Sequence, residues 1–136
     1  MIEEQRSNYV VNTNYKHQPQ AHEEMLKHKK VAAYYAPWKY KIANIQKGDR
    51  VFLYQSTVGI VAVGTGTGIV HTDMHEGTPE EKYSMDLDSF HLLRTPMTAG
   101  EMRKAAQSHL AFVQTVFSLT EAKATNIWRY IKDHCL

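Results

Sequence analysis

The sequence predicts a mixed α/β domain of the α+β type, in which helices flank a small curved β-sheet that closes into a barrel. The predicted elements run strand, helices, several strands, helices, without the regular alternation of a doubly wound parallel sheet. The stretch 58-VGIVAVGTGTGIV-70 holds four of the seven glycines and reads as a strand. Several glycines in one strand are typical of the bent strands of small barrels. A chain of 136 residues is enough for one domain.

The first third of the chain predicts one strand, two helical segments and a turn. The β-branched and aromatic residues of 8-NYVVNTN-14 favour a strand that ends in polar residues. A helix is predicted over 19–31, because proline is favoured in a first helical turn. One or two further helical turns are predicted over 39–45, and 48-GD-49 indicates a structural turn.

The middle of the chain predicts the sheet. Residues 50–56 and 58–70 read as neighbouring strands joined by a tight turn at 56–57. The segment 71-HTDMHEGTPEEKY-83 is predicted to be an acidic loop, since it combines carboxylates with glycine and proline. Residues 84–94 predict one or two more strands.

Two helices are predicted near the C-terminus, each beginning at a capping box, in which a hydroxyl and a carboxylate satisfy free backbone N–H groups. Thr98 with Glu101 marks a helix over 98–112. Ser118 with Glu121 marks the last helix, over 120–133.

The glycine-rich stretch does not match a phosphate-binding loop. Gly64, Gly66 and Gly68 give G-x-G-x-G, whereas a dinucleotide fingerprint needs G-x-G-x-x-G at the start of a helix. Gly59 and Gly64 have P-loop spacing, but no lysine follows them. We therefore interpret these glycines as a response to bending or to the close approach of another backbone.

Composition and charge narrow the class of protein. No apolar run approaches the ~20 residues needed to cross a bilayer, and Cys135 is the single cysteine. We therefore expect a cytoplasmic protein without an intramolecular disulfide. The net charge is +2, but residues 15–50 carry eight Lys or Arg against three acids, whereas 71–90 carry six acids and one Lys. The basic segment predicts a surface that faces phosphate, with solvated helix faces as the alternative.

The segment 34–41 combines aromatic and basic residues. Tyr34, Tyr35, Trp38 and Tyr40 are interleaved with lysines. Aromatic rings stack on nucleobases, and a neighbouring lysine reaches phosphate, so this pattern predicts a nucleobase pocket. The alternative is that these rings fill the core between helix and sheet.

A family resemblance supports the pocket. Trp38, a short helix, 47-KGDRVFLYQS-56 and a glycine-bearing strand resemble the EVE domain of the PUA-like superfamily, which also contains the YTH domain. The resemblance covers about 9–106 of a single domain 1–136, with about 107–136 as a C-terminal helical extension. It implies a small barrel with helices around it. It also implies recognition of a modified or flipped-out base in DNA or RNA, without catalysis and without a cofactor or metal.

The resemblance also implies a set of site residues. Trp38 would form a wall of the aromatic cage, with a second wall from Tyr34, Tyr35 or Tyr40. The polar end of the first strand would bond to the base edge, since an amide both donates and accepts. The predicted base pocket comprises Trp38, Asn12, Thr13, Asn14, Tyr35, Tyr54 and Ser56, and the predicted phosphate contacts are Lys39 and Lys41.

Two other functions remain open from the sequence. His71 and Asp73 with a distant His91 or His109 have the residue types of a two-histidine, one-carboxylate metal site. Cys135 beside His134 has the types of a nucleophile and its base. A protein-interaction module is the other alternative, through homodimer or partner contacts of the C-terminal helices. Its candidate apolar residues are Phe112, Val116 and Phe117.

Overall fold

A computed structural model describes residues 7–110, 112 and 114–136. The strands are β1 (Asn8–Asn12), β2 (Lys30–Tyr34), β3 (Arg50–Gln55), β4 (Gly59–His75), β5 (Thr78–Met97) and β6 (Val116–Leu119). The helices are α1 (Pro19–His28), α2 (Trp38–Ala43), α3 (Ala99–Ala106) and α4 (Glu121–His134). Within these residues, no helix is both long enough and apolar enough to span a membrane.

The six strands form one mixed sheet in the order β2-β5-β4-β3-β1-β6. The β1–β3 pair is parallel and the other pairs are antiparallel. The prediction of an α+β fold is confirmed, but the prediction of a closed barrel is wrong. Closure would require β2 and β6 to pair, and α2 instead contacts both of these edge strands. The helix therefore lies across the gap in a curved, open sheet.

The acidic segment 71–83 is not a loop, so that prediction is wrong. It forms the far end of the long β4–β5 hairpin, whose turn lies at Glu76 and Gly77, both with positive φ. Pairs such as Thr72 with Tyr83 continue the ladder almost to the turn. Both faces of this end are largely exposed, so it lacks the apolar alternation by which a half-buried strand is recognised.

Two short strands, β2 and β6, are not predicted from the sequence. The helix predicted over 19–31 ends at His28, because Lys29 adopts a left-handed φ of 56°. The chain then enters β2, which pairs with β5. Similarly, the helix predicted over 98–112 ends at Ala106, and β6 follows and pairs with β1.

The capping box predicted at Thr98 and Glu101 is confirmed, whereas the one predicted at Ser118 and Glu121 is wrong. Thr98 accepts from the Glu101 N–H, and the Glu101 carboxylate accepts from the Thr98 N–H. The last helix is instead capped by Thr120, whose hydroxyl accepts from the Lys123 N–H. The Glu121 carboxylate is free to accept from the Asn8 amide of β1 at 2.7 Å.

Each face of the sheet carries a hydrophobic core and a pair of helices. The α1/α2 core contains Met25, Val31, Ile42, Leu53 and Met85, among others. The α3/α4 core contains Phe52, Met97, Met102, Ile127 and Ile131, among others. Phe112 and Phe117 pack against the α3/α4 core, and Val116 is fully buried. These three residues, which were candidates for contacts with another protein, therefore pack within this chain.

The glycines of β4 permit close approach, as the sequence interpretation proposed. Gly66 lies against the segment that follows α2, and a Cβ there would be 2.6 Å from Ile45 Cγ2 and 2.9 Å from the Gln46 carbonyl oxygen. Its backbone pairs with the turn before β3, since the Gly48 N–H donates to Gly66 O and the Gly66 N–H donates to Asp49 O. Because Gly66 has no side chain, the backbone of β4 packs directly against the residues that follow α2 and fixes the position of that end of the helix.

We expect Gly66→Ala to lower the free energy of unfolding by roughly 1–3 kcal/mol, because the added methyl group overpacks against Ile45. Gly100→Ala is the matched control, since its Cβ would meet nothing within 4 Å in α3. Alanine should stabilise that helix by about 0.5 kcal/mol. Urea unfolding followed by circular dichroism measures both, and equal stabilities of the two variants would contradict the packing argument.

Candidate functional site

A small cavity of about 110 Å³ lies beside α2, on the side of edge strand β2. Five segments meet around it: the end of β1, helix α1 with the residue before it, strand β2, the start of α2 and the residue before β6. The lining residues are Asn12, Asn14, Gln18, Met25, Ala32, Ala33, Tyr34, Tyr35, Trp38 and Thr115. The structure thus brings together Asn12, Asn14, Tyr35 and Trp38 of the predicted site.

Small side chains on β2 leave room for the cavity. Ala32 and Ala33 are each 1% exposed and their side chains end at Cβ. Met25 of α1 is equally buried and completes an apolar lining. Two alanines in a strand that packs into the α1/α2 core thus line the cavity with little side-chain volume.

Three aromatic side chains form the remaining apolar walls. Tyr34 ends β2, Tyr35 follows it, and Trp38 begins α2. Trp38 is half-buried and also packs against the α1/α2 core, so one ring contributes to both the core and the cavity. Tyr40 is not a lining residue, because its side chain is 51% exposed and meets Tyr83 edge to face.

The tyrosine hydroxyls remain protonated at neutral pH. Burial, with a smaller contribution from the charge of Glu24, raises the pKa of Tyr34 to about 12. The Tyr35 hydroxyl donates to the Glu76 carboxylate at 2.8 Å, and this hydrogen bond raises the pKa of Tyr35. Tyr35 is thereby tied to the turn of the β4–β5 hairpin.

The polar side of the cavity comes from the end of β1. The Asn12 side-chain oxygen accepts from the Asn14 N–H at 2.8 Å, which turns the chain at Asn14, where φ is 61°. The Asn12 amide nitrogen donates to the Phe112 carbonyl at 3.4 Å. Within the described part of the chain, the Asn14 side-chain amide has no hydrogen-bond partner, and it lines the cavity. Its donors and its acceptor are available to a ligand.

Thr13 is buried behind this turn and positions it. The Thr13 N–H donates to the Tyr54 carbonyl at 2.9 Å, and its hydroxyl lies 2.7 Å from His22 Nδ1 of α1. The side chain is 0% exposed and does not line the cavity. The structure therefore places Thr13 between β1 and α1 rather than at the predicted base edge.

Tyr54 and Ser56 also lie away from the cavity. Tyr54 is 7% exposed, belongs to the α3/α4 core and stacks on Phe112 with ring centroids 4.6 Å apart. Ser56 lies in the turn between β3 and β4. Side chains alternate between the two faces of a strand, and Leu53, not Tyr54, faces the α1/α2 core.

The two predicted phosphate contacts differ in their surroundings. The Lys39 ammonium lies 3.3 Å from the Glu81 carboxylate and donates to the Glu80 carbonyl at 3.0 Å, so it binds the hairpin. The Lys41 ammonium lies 4.8 Å from the centre of the Trp38 ring and has only a long, 3.5 Å hydrogen bond to the Val116 carbonyl. Lys41 is the one that remains accessible.

The predicted metal and nucleophile sites are not assembled in the described residues. The His71 Nε2 atom lies 3.7 Å from the Asp86 carboxylate, and His91 pairs far along the hairpin with Val63. Among the residues described, no three His, Cys, Asp or Glu side chains are grouped to hold a metal ion. Cys135 is buried at the end of α4, and burial raises the pKa of its thiol.

Several lining residues were absent from the sequence prediction. Ala32 and Ala33 belong to β2, which was not predicted from the sequence because the predicted helix continued over the first residues of that strand. Gln18 and Met25 follow from the docking of α1 on that strand. Thr115 carries no local signal, since it reaches the cavity only through the pairing of β6 with β1.

Known proteins match this chain in structure rather than in sequence: no family model and no curated protein matches it. ASCH from Zymomonas mobilis aligns with a TM-score of 0.62 and 10% identity, over 92% of this chain and 96% of its own. The DUF55 domain of human thymocyte nuclear protein 1 aligns at 0.59 and 11%, over 93% and 99%. The human THYN1 protein in complex with DNA containing 5-methylcytosine aligns at 0.55 and 11%, over 93% and 98%.

The contact between Thr13 and His22 predicts a pH-dependent stability. Burial lowers the pKa of His22, which outweighs the smaller opposing effect of Glu23. Because the folded pKa lies below the unfolded value of about 6.5, the unfolded chain binds the proton more tightly. The contribution of His22 to stability is thus complete above that value and is lost as the pH falls.

We expect the wild type to exceed His22→Gln in stability by about 1 kcal/mol at pH 7.5, the usual worth of one hydrogen bond. The difference should shrink towards pH 5. Urea unfolding at several pH values measures it, with the exposed His91→Gln as the control. A difference that stays constant or widens as the pH falls would refute the assignment.

Proposed function

We propose that this chain, which has the PUA-like fold of ASCH and EVE domains, binds nucleic acid and takes one base into the cavity beside α2. The fold itself is established by the solved structures, and it confirms the resemblance to the EVE domain in the sequence. The binding of a base is our inference from the cavity, and the residues that line it supply the argument.

The observation that carries this proposal is the Asn14 amide, which has no hydrogen-bond partner among the described residues and lies at a cavity walled by aromatic rings. A base in such a cavity would stack on Trp38 or Tyr35 and present its edge to Asn14. An amide offers both donors and an acceptor, which match the mixed donors and acceptors of a base edge. The Asn12–Asn14 turn and the buried Thr13 hold the Asn14 backbone in place before a ligand arrives.

The energies involved are compatible with uptake of a single base. Flipping a base out of a duplex costs a few kcal/mol, and less or nothing for a single strand. Stacking on one aromatic ring returns roughly 1–3 kcal/mol, and each neutral hydrogen bond returns about 1 kcal/mol. These contributions roughly offset the cost, so a small additional contact determines whether binding occurs.

A methyl group on the base is one such contact, which is why we propose a modified base. The alanines of β2 and Met25 provide an apolar surface for it, and burying one methyl or methylene group is worth about 0.8 kcal/mol. The complex of the THYN1 protein with 5-methylcytosine DNA, on the same fold, supports this choice. At about 110 Å³ the cavity is far below the roughly 300 Å³ of drug-sized pockets, so it suits one small planar group.

We further propose that binding occurs without catalysis. Among the described residues that line the cavity, none is Asp, Glu, His, Lys or Cys. The raised pKa values of Tyr34 and Tyr35 make both hydroxyls weak acids at neutral pH. General acid–base catalysis works best with a pKa near the working pH, which these groups lack.

Trp38→Ala should weaken binding about 5- to 150-fold, corresponding to one stacking contact. Binding is measured on short single- and double-stranded DNA and RNA, with and without methylated or hydroxymethylated bases. Trp128→Phe leaves Trp38 as the sole tryptophan, so quenching of its fluorescence reports stacking directly. Circular dichroism verifies that Trp38→Ala is folded. Equal binding by wild type and a folded Trp38→Ala would reject the base pocket.

Asn14→Gly tests the edge contact without straining the backbone, because glycine tolerates the φ of 61°. We expect about a fivefold loss of affinity for the preferred oligonucleotide, the equivalent of one neutral hydrogen bond. Gln107→Gly is the matched control, since it also replaces a residue of positive φ, at the end of α3. Similar affinity losses for the two variants would argue against a specific role for Asn14.

A further inference from the structure

Two further cavities lie on the other side of α2, along the edge strand β6. One measures about 490 Å³ and extends towards the start of α4, and the other measures about 210 Å³ and extends towards β1. Lys41, Phe117 and Ser118 line both, so the two cavities form one continuous groove, which we call the β6 groove. The base pocket described above does not include it.

The β6 groove adjoins the base pocket at two points. Gln114, Thr115 and Val116 are consecutive residues, and they line the larger groove cavity, the base pocket and the smaller groove cavity, respectively. On the opposite side, Lys41 of the groove lies over the ring of Trp38, which lines the pocket. A base in the pocket would therefore lie close to nucleotides bound in the groove.

The charge of the β6 groove complements phosphate. Lys41 and Lys123 line it together with His109, and none of the described lining residues is acidic. Within the described chain, neither lysine has a carboxylate partner, in contrast to Lys39, which is paired with Glu81. A polyanion would therefore meet two ammonium groups without first displacing an ion pair.

The groove also offers contacts to bases and sugars. Phe117 is half-buried and lines both cavities, and Tyr9 lines the smaller one. Aromatic rings beside a basic groove are the arrangement by which proteins hold single strands without reading their sequence. Ser118 is exposed on β6 between the two cavities and adds a hydroxyl group.

We infer that the β6 groove holds the sugar–phosphate backbone of the nucleotides that flank the inserted base, in a single-stranded segment that passes over Lys41. This inference rests on the proposed function, because it concerns the same ligand. It adds a second subsite, distinct from the pocket in its residues and its chemistry. The base pocket selects the base, and the groove contributes affinity that depends on strand length and salt.

The test compares a ligand that fills only the pocket with one that reaches the groove. The probes are 5-methyldeoxycytidine and a single-stranded DNA pentanucleotide with a central 5-methylcytosine, or the modified base that the oligonucleotide panel selects. Ser118→Glu places a negative charge in the groove, and Ser118→Gln places a neutral group of the same size there. We expect Ser118→Glu to weaken pentanucleotide binding about tenfold, through like-charge repulsion. Ser118→Gln, which adds no charge, should weaken pentanucleotide binding far less than Ser118→Glu, and the nucleoside should bind all three proteins equally.

Lys123→Ala gives an independent readout through salt. Each phosphate contact contributes about 0.7 to the slope of log K against log salt for a single strand, so the variant should lose about that amount with the pentanucleotide. Lys104→Ala, on α3 and outside the groove, should leave the slope unchanged. The wild type should bind the pentanucleotide more tightly than the nucleoside.

The outcomes separate this inference from the proposed function. If the pentanucleotide binds through Trp38 but Ser118→Glu and Lys123→Ala match wild type, the groove inference is wrong and the base pocket stands. If Ser118→Glu weakens the nucleoside as much as the strand, the groove is not a separate subsite. If no modified nucleoside or oligonucleotide binds to the wild type, both proposals fail. Binding of an acidic peptide, but not of nucleic acid, would assign the groove to a protein partner instead.

Discussion

The site depends most on one packing contact, in which the backbone of β4 at Gly66 lies directly against the residues that follow α2. Ile45 occupies the space that a side chain at Gly66 would fill, and two backbone hydrogen bonds join Gly66 to the Gly48–Asp49 turn. The turn is fixed in addition by the buried Asp49, whose carboxylate accepts from the N–H groups of Ser7 and Gln46. This contact sets the position of a helix only six residues long, which has little stability of its own.

The position of α2 then determines what the two edges of the sheet can do. The helix contacts both edge strands, β2 and β6, which do not pair with each other. A cavity therefore lies on each side of α2. Trp38 faces one side and Lys41 the other, and they meet as a ring and a cation 4.8 Å apart. One short helix thus lies between a small apolar pocket and a basic groove.

Much of the fold and part of the site followed from the sequence. Periodicity and glycine content predicted β1, β3, β4 and an α+β class, while the predicted base pocket contained four of the ten residues that line the cavity: Asn12, Asn14, Tyr35 and Trp38. The family resemblance assigned Thr13 and Tyr54 to the pocket as well. Tyr54 instead faces the opposite core and Thr13 lies behind the turn, since strand alternation and burial decide direction residue by residue.

By itself, the sequence determined which chemical groups are present: the aromatic and basic residues of 34–41, the amides of β1 and the glycines of β4. These are local properties, and local propensity and composition report them. Only the tertiary structure decided that Lys39 is paired with Glu81 while Lys41 has no carboxylate partner among the described residues, and that Thr115 reaches a cavity built around β2. Such facts depend on strand pairings and helix docking between residues far apart in the chain, and no local pattern encodes them.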